Sequence, residues 1–135
     1  MAALSITANS VAWVSGTKVT GIAGATITAG QALYLDSSTT TLKLADADAS
    51  AATADCVGIS LNAAVSGQPV TYQTDGVITI GATVTLGKIY VVSDTAGGIA
   101  PSSDLASPLR TTIVGVATTT AALTLKLYYS GVVHA

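Results

Sequence analysis

Few side chains in this 135-residue chain could take part in a reaction. The single histidine, His134, stands next to the C-terminus, where chains commonly fray, and glutamate is absent. A nucleophile needs a base held rigidly beside it, so the core cannot supply a Ser-His-Asp or Cys-His pair. Acid–base chemistry would fall on aspartates such as Asp55 and Asp75, a residue type that favours turns. The sequence predicts a protein that is not an enzyme.

Metal and cofactor sites are not predicted either. Residues 46–55, DADASAATAD, lack the glycine of a calcium loop at the sixth position, and Val57 stands where that loop needs an acidic residue. Gly21, Gly24 and Gly30 do not have the spacing of a phosphate-binding loop. Cys56, the only cysteine, is interpreted as a small buried apolar residue rather than a reactive thiol. We therefore expect no catalytic, cofactor-binding or metal-binding residues.

The composition favours packing against other proteins. Half of the residues are apolar, 9% are charged, and the formal net charge is −2. Five lysines and arginines are scattered singly, so no basic patch is available to neutralise the phosphates of a nucleic acid. No apolar run approaches the length of a membrane helix, and residues 1–17 lack the basic region of a signal peptide. We expect neither a nucleic-acid nor a membrane partner.

An internal repeat organises the chain. Residues 24–36, GATITAGQALYLD, recur 57 residues later as GATVTLGKIYVVSD, and CVGIS at 56–60 recurs as IVGVA at 113–117. Two copies are too few for a solenoid. Short strands, many threonines and β-branched residues, and turns about every eight to twelve residues indicate an all-β protein. We predict two similar tandem halves, residues 24–80 and 81–135, that close into a small barrel or sandwich.

Local patterns predict individual strands within each half. Leu33 and Leu35 share one strand face and begin a hairpin with the TLKL strand that follows. Gly58 lies in an alternating strand and marks a bulge or a close backbone approach, and Gly115 recurs at the equivalent position. The Asp75-Gly76 pair predicts a second hairpin between the strands on its two sides.

Residues 1–23 are predicted to form an extended N-terminal arm with one or two short strands, followed by a single β domain at residues 24–135. The arm contains Trp13, the only tryptophan of the chain. A large aromatic side chain needs a surface to bury against. Two interpretations stay open: Trp13 packs on its own domain, or it anchors the chain to a partner protein.

Residues 29–80 contain a succession of motifs: an AGQALYLD strand precedes a TLKLA strand, VGISLNAA follows an alanine-rich connection, and PVTYQTDGV comes last. This order resembles the head decoration (capsid cement) proteins of tailed bacteriophages. The lambdoid head decoration protein shows a similar succession, and residues 81–133 repeat it more faintly. The resemblance implies a β-barrel or β-tulip-like fold and a homotrimer on the outer face of the virion capsid. It also implies synthesis in the host cytoplasm and cementing of neighbouring capsomers through the major capsid protein.

In that family the N-terminal arm often orders against the shell, so the resemblance assigns capsid binding to the arm of this chain. The alternative is a receptor- or carbohydrate-binding module of a phage tail or surface appendage. Sugar sites usually present exposed aromatic rings, and five tyrosines with one tryptophan offer little material for them. The candidate capsid-binding residues are the large apolar side chains of the arm: Leu4, Ile6, Val11, Trp13 and Val14.

Overall fold

The computed structural model describes residues 3–47, 51–104 and 110–133. Within these residues the chain forms two antiparallel sheets, which we call the large sheet and the small sheet. The large sheet has the strand order β1-β7-β11-β10-β8-β9, and the small sheet has the order β2-β6-β5-β3-β4. The strands are β1 (Val11–Trp13), β2 (Lys18–Ile22), β3 (Ala32–Asp36), β4 (Thr41–Leu44), β5 (Gly58–Ser60), β6 (Pro69–Gln73), β7 (Asp75–Ile80), β8 (Ile89–Val92), β9 (Ile99–Pro101), β10 (Arg110–Ala117) and β11 (Ala122–Val133).

The all-β prediction is confirmed, and the prediction of a closed barrel is wrong. A barrel needs a continuous hydrogen-bonded ladder around its whole circumference. In the described part of the chain, β1 and β9 end the large sheet, β2 and β4 end the small sheet, and no strand pair joins one sheet to the other. The sheets instead share a core, because alternating apolar side chains on one face of each are buried together. Among the described residues, helix is limited to one short turn, α1 (Ala51–Ala54), and two 3-10 turns.

The two halves repeat the same strand order. The small sheet contains β6-β5-β3-β4, and the large sheet contains β11-β10-β8-β9 in the same succession. Leu33 pairs with Gly58 in the first half, and Tyr90 pairs with Gly115 in the second, each 57 residues further on. The backbone bonds at the start of each half recur as well. Gly30 N–H donates to Ser60 O at 2.8 Å, and the two residues 57 positions later make the same bond at 2.8 Å.

Two apolar clusters stabilise the sheets. The main cluster lies between them and buries, among others, Ala32, Cys56 and Ile59 of the small sheet against Tyr90 and Leu123 of the large sheet. The second cluster lies on the opposite face of the small sheet. It joins strand residues to side chains of two loops, and its buried members are Ala23, Ile27, Leu33, Leu42, Ala64 and Val70.

Close backbone approach explains both repeated glycines, as predicted. A Cβ atom added to Gly58 would lie 2.7 Å from Gln73 O, and one added to Gly115 would overlap Thr124 O. In each case the backbone of the neighbouring strand is an obstacle, and it cannot swing aside as a side chain can. At Gly58 the ring of Tyr72 is a second obstacle, 2.5 Å from the added Cβ. The second site also contains the predicted irregularity, because the strand register shifts between Ile113 and Gly115.

The two predicted hairpins have different outcomes. The hairpin of β3 and β4 is confirmed, with Leu33 opposite Leu44 and Leu35 opposite Leu42. The hairpin at Asp75-Gly76 is wrong, because β6 belongs to the small sheet and β7 to the large sheet. The chain crosses from one sheet to the other at Thr74, and Gly76 adopts a φ of 82° inside the first residues of β7.

Candidate interaction surface

The N-terminal segment, residues 3–22, runs along both sheets. Its first strand, β1, pairs with β7 at one edge of the large sheet, and its second strand, β2, pairs with β6 at one edge of the small sheet. The segment therefore contains the predicted short strands and joins the two layers. A surface built on it is anchored to both sheets by these strand pairs.

Three of the five candidate residues face the body of the same chain. Leu4, Ile6 and Val11 are half-buried and pack against the main core. The backbone fixes this part of the segment, since Leu4 N–H donates to Ile99 O at 2.7 Å and Thr7 N–H donates to Gly81 O at 2.8 Å. These side chains shape the segment and leave little surface for a partner.

The other two candidates, Trp13 and Val14, face outward. Trp13 is 43% exposed and Val14 is 53% exposed. The indole N–H of Trp13 donates to Gly16 O at 3.2 Å, and Lys18 Nζ lies 4.3 Å from the centroid of the ring. This cation–π contact holds the ring against the strand crossing that follows it. Trp13 thus contacts its own chain and still presents a large apolar surface.

A compact polar junction supports the strand crossing after Trp13. The side-chain amide nitrogen of Gln73, which is fully buried, donates to Ser15 O at 2.7 Å, Asp75 O at 2.8 Å and Val77 O at 2.9 Å. Thr17 N–H donates to a carboxylate oxygen of Asp75 at 2.7 Å. The carboxylate of Asp75 therefore holds the connection between β1 and β2.

Glycine allows the two backbones to meet at this junction. Gly16 and Gly76 both have positive φ, and a Cβ atom added to Gly76 would lie 2.5 Å from the Cα of Gly16. A side chain at either position would push apart the β1–β2 connection and the start of β7. The junction positions Trp13 on a rigid support rather than on a loose tail.

No local signal in the sequence identifies Gln73 as a buried residue. It stands in an alternating strand, PVTYQ, where an outward-facing polar residue looks the same as a buried one. The sequence pattern also does not mark the other exposed apolar side chains as a surface. The large apolar side chains that are exposed in the described part of the chain are Trp13, Val14, Val19, Ile22, Leu35, Val65, Leu86, Ile89 and Tyr128.

Cys56 is buried, as predicted, and burial raises the pKa of its thiol to about 12. The described residues contain no group of three or more side chains suited to hold a metal ion. Asp55 is exposed, and His134 lies outside the described residues. No helix in the described ranges is long and apolar enough to cross a membrane.

Surface depressions among the described residues are candidate sites for a small ligand. One lies between residues 3–6 and 95–98, one beside Ile27 and Ala64, and one beside Thr7 and Gly81. Their linings are small, aliphatic and uncharged polar residues, without a charged or aromatic side chain. A sugar or anion would find few specific contacts there, and the exposed edge at Trp13 is the better candidate for a functional surface. No protein-family model, curated protein or solved structure matches the chain.

Proposed function

We propose that this chain is a structural virion protein that binds the outer surface of a tailed-phage capsid and cements neighbouring capsomers. The observation that carries the proposal is the pair of exposed apolar side chains, Trp13 and Val14, on a rigid strand crossing. The resemblance of residues 29–80 to phage head decoration proteins supplies the class of partner. That family's β-tulip-like fold and homotrimer are part of the proposal and rest on the resemblance.

The chemistry of this edge suits a protein partner. Strand β1 ends the large sheet, so its outer side is open to another extended strand. Trp13 supplies the kind of aromatic anchor that dominates protein interfaces. Covering its exposed part removes on the order of 100 Å² from water, a gross gain of about 2.5 kcal/mol, of which the costs of ordering and desolvation leave only a part as affinity.

Several such edges act together in an assembly. A homotrimer presents three copies of the Trp13 edge, so weak individual contacts with the major capsid protein add through effective concentration. The protein is made in the host cytoplasm in this account and joins the outside of the capsid. Low charge and a surface rich in small residues suit a role that depends on packing.

The experiment measures binding of the purified chain to expanded capsid shells that lack a decoration protein. Trp13→Ala is compared with Val65→Ala, which removes a similarly exposed apolar side chain from a loop of the small sheet. We expect Trp13→Ala to weaken binding by at least tenfold and Val65→Ala to leave it unchanged. Equal binding by both variants would contradict the role of this edge, and absence of binding by the wild-type chain would contradict the function.

Point substitutions are preferred to deletion of the segment. Leu4, Ile6 and Val11 pack against the core, and β1 completes the edge of the large sheet. Deletion would therefore alter the folded body as well as the surface. Trp13→Ala leaves these contacts in place, and circular dichroism provides the check that the variant is folded.

A further inference from the structure

The two halves of the chain stack in the same orientation rather than face to face. We call the face of the small sheet that carries Leu33 and Leu42 its front, and the face that carries Ala32 and Ile59 its back. The residues 57 positions after Leu33 and Leu42 are Tyr90 and Ile99, and both lie in the core between the sheets. The front of the large sheet therefore packs on the back of the small sheet.

In this stacking, the front of the small sheet and the back of the large sheet do not pack against the other half of the chain. The front of the small sheet is only partly covered by its own loops, through residues such as Ile27 and Ala64. The back of the large sheet carries Ile89, Ile113 and Val116, which are exposed or half-buried, beside Val91 and Ala100, which are buried. These two outward faces are the equivalents of the pair of faces that already pack together inside the chain.

The exposed fractions of equivalent side chains in the two halves show the effect of packing against the other half. Leu35 on the front of the small sheet is 46% exposed, whereas its equivalent in the large sheet, Val92, is 0% exposed. Ile89 on the back of the large sheet is 41% exposed, whereas its equivalent in the small sheet, Ala32, is 0% exposed. The covered member of each pair lies in the interface between the halves, and the uncovered member is a larger apolar side chain.

We propose that a second copy of this chain docks head to tail, with the back of its large sheet on the front of the small sheet of the first copy. The new interface continues the stacking that already exists between the halves. The exposed apolar side chains at its centre are Leu35 on the front and Ile89 on the back. The back also carries the exposed Lys126. This inference does not depend on capsid binding, because it follows from the repeat and from the faces that the repeat leaves open.

A head-to-tail interface has a definite consequence for assembly. The two contacting faces differ, so each bound copy presents one further front and one further back. Such contacts close into a ring if the rotation between copies allows it, which for three copies gives the homotrimer of the proposed function, and otherwise extend as a filament. Substitution on either face is then sufficient to block assembly, and each blocked variant retains one intact face.

The test measures mass in solution by analytical ultracentrifugation for the wild-type chain, Leu35→Lys and Ile89→Lys. Thr120→Lys is the control, because it adds the same charge at an exposed position in the turn before β11. We expect the wild-type chain and the control to have at least twice the monomer mass of 13.2 kDa. Each of the other two variants is expected to be a monomer.

Mixing the two face variants provides the decisive observation. Leu35→Lys retains an intact back and Ile89→Lys an intact front, so an equimolar mixture is expected to form a dimer and nothing larger. A monomeric wild-type chain, or a mixture that stays monomeric, would overturn the proposal. Loss of assembly in only one face variant would indicate a symmetric interface and would overturn it too. Leu35→Gln and Ile89→Gln replace the lysine variants if circular dichroism shows that either of those is unfolded.

Discussion

The buried side-chain amide of Gln73 provides the sharpest test of how the fold supports strand β1 and Trp13 at the edge of the large sheet. Its nitrogen has two hydrogens for three carbonyl oxygens, at 2.7, 2.8 and 2.9 Å, so at least one hydrogen is shared. Gln73→Met keeps a side chain of similar size and removes this donor. Two net hydrogen bonds at about 1 kcal/mol each give an expected loss of about 2 kcal/mol.

An opposing effect reduces this loss. The side-chain oxygen of Gln73 is buried and has no hydrogen-bond partner among the described residues, so its removal relieves a desolvation penalty. Val77 O and Ser15 O also keep backbone donors, because Val14 N–H donates to the first and Val77 N–H to the second. We therefore expect a net decrease of about 1–2 kcal/mol in the free energy of unfolding.

Equilibrium urea denaturation at neutral pH measures this decrease. Gln68→Met is the matched control, because Gln68 is exposed and accepts one hydrogen bond, from Val65 N–H at 3.0 Å. We expect the control to change stability by less than about 0.5 kcal/mol. If Gln73→Met were as stable as the wild-type chain, the unpaired oxygen would outweigh the donor, and the junction would not owe its rigidity to Gln73.

Two further predictions concern the repeated glycines and the hairpin of β3 and β4. Gly58→Ala and Gly115→Ala are each expected to destabilise the fold by about 1–3 kcal/mol, because the added Cβ meets the backbone of the next strand. Denaturation of both variants tests whether the halves are equivalent, and a harmless change at one site with a severe change at the other would contradict that. Lys43 Nζ lies 2.7 Å from an Asp36 carboxylate oxygen. This bond is the largest cause, and hydrogen bonds from Ser38 are the next largest, that hold the pKa of Asp36 well below its ordinary value of 3.8. A lowered pKa in the folded state stabilises the protein above pH 3.8, and that stabilisation disappears as the pH falls towards the folded-state pKa. The difference in melting temperature between the wild-type chain and Asp36→Asn is thus expected at neutral pH and to shrink below about pH 4, whereas a difference independent of pH would contradict the ion pair as its cause.

The sequence predicted the features that depend on local pattern or on the repeat. Alternation of Leu33 and Leu35 identifies a strand because every second side chain shares a face. The recurrence of Gly58 as Gly115 identifies two close approaches, since the same backbone contact needs the same missing side chain. The repeat at an offset of 57 residues corresponds to the same strand order in both sheets.

Features that depend on the relative placement of the sheets could not be predicted. Asp75-Gly76 has the chemistry of a turn, and a turn does not specify which sheet receives the next strand. Leu33 and Tyr90 occupy equivalent positions with the same local alternation, yet one lies outside the sandwich and the other inside it. The weak alternation in the N-terminal segment did not separate Leu4 and Ile6, which pack inward, from Trp13.

The location of this chain on virus particles tests the proposed function most directly. The proposed function implies that a tailed phage encodes the chain, and antibody raised against the purified chain would be used for immunogold labelling of the virions of that phage. The account predicts gold distributed over the whole outer face of the head. Gold restricted to the tail tip or fibres would contradict it and favour the receptor-binding alternative, and unlabelled virions would exclude a role on the virion surface.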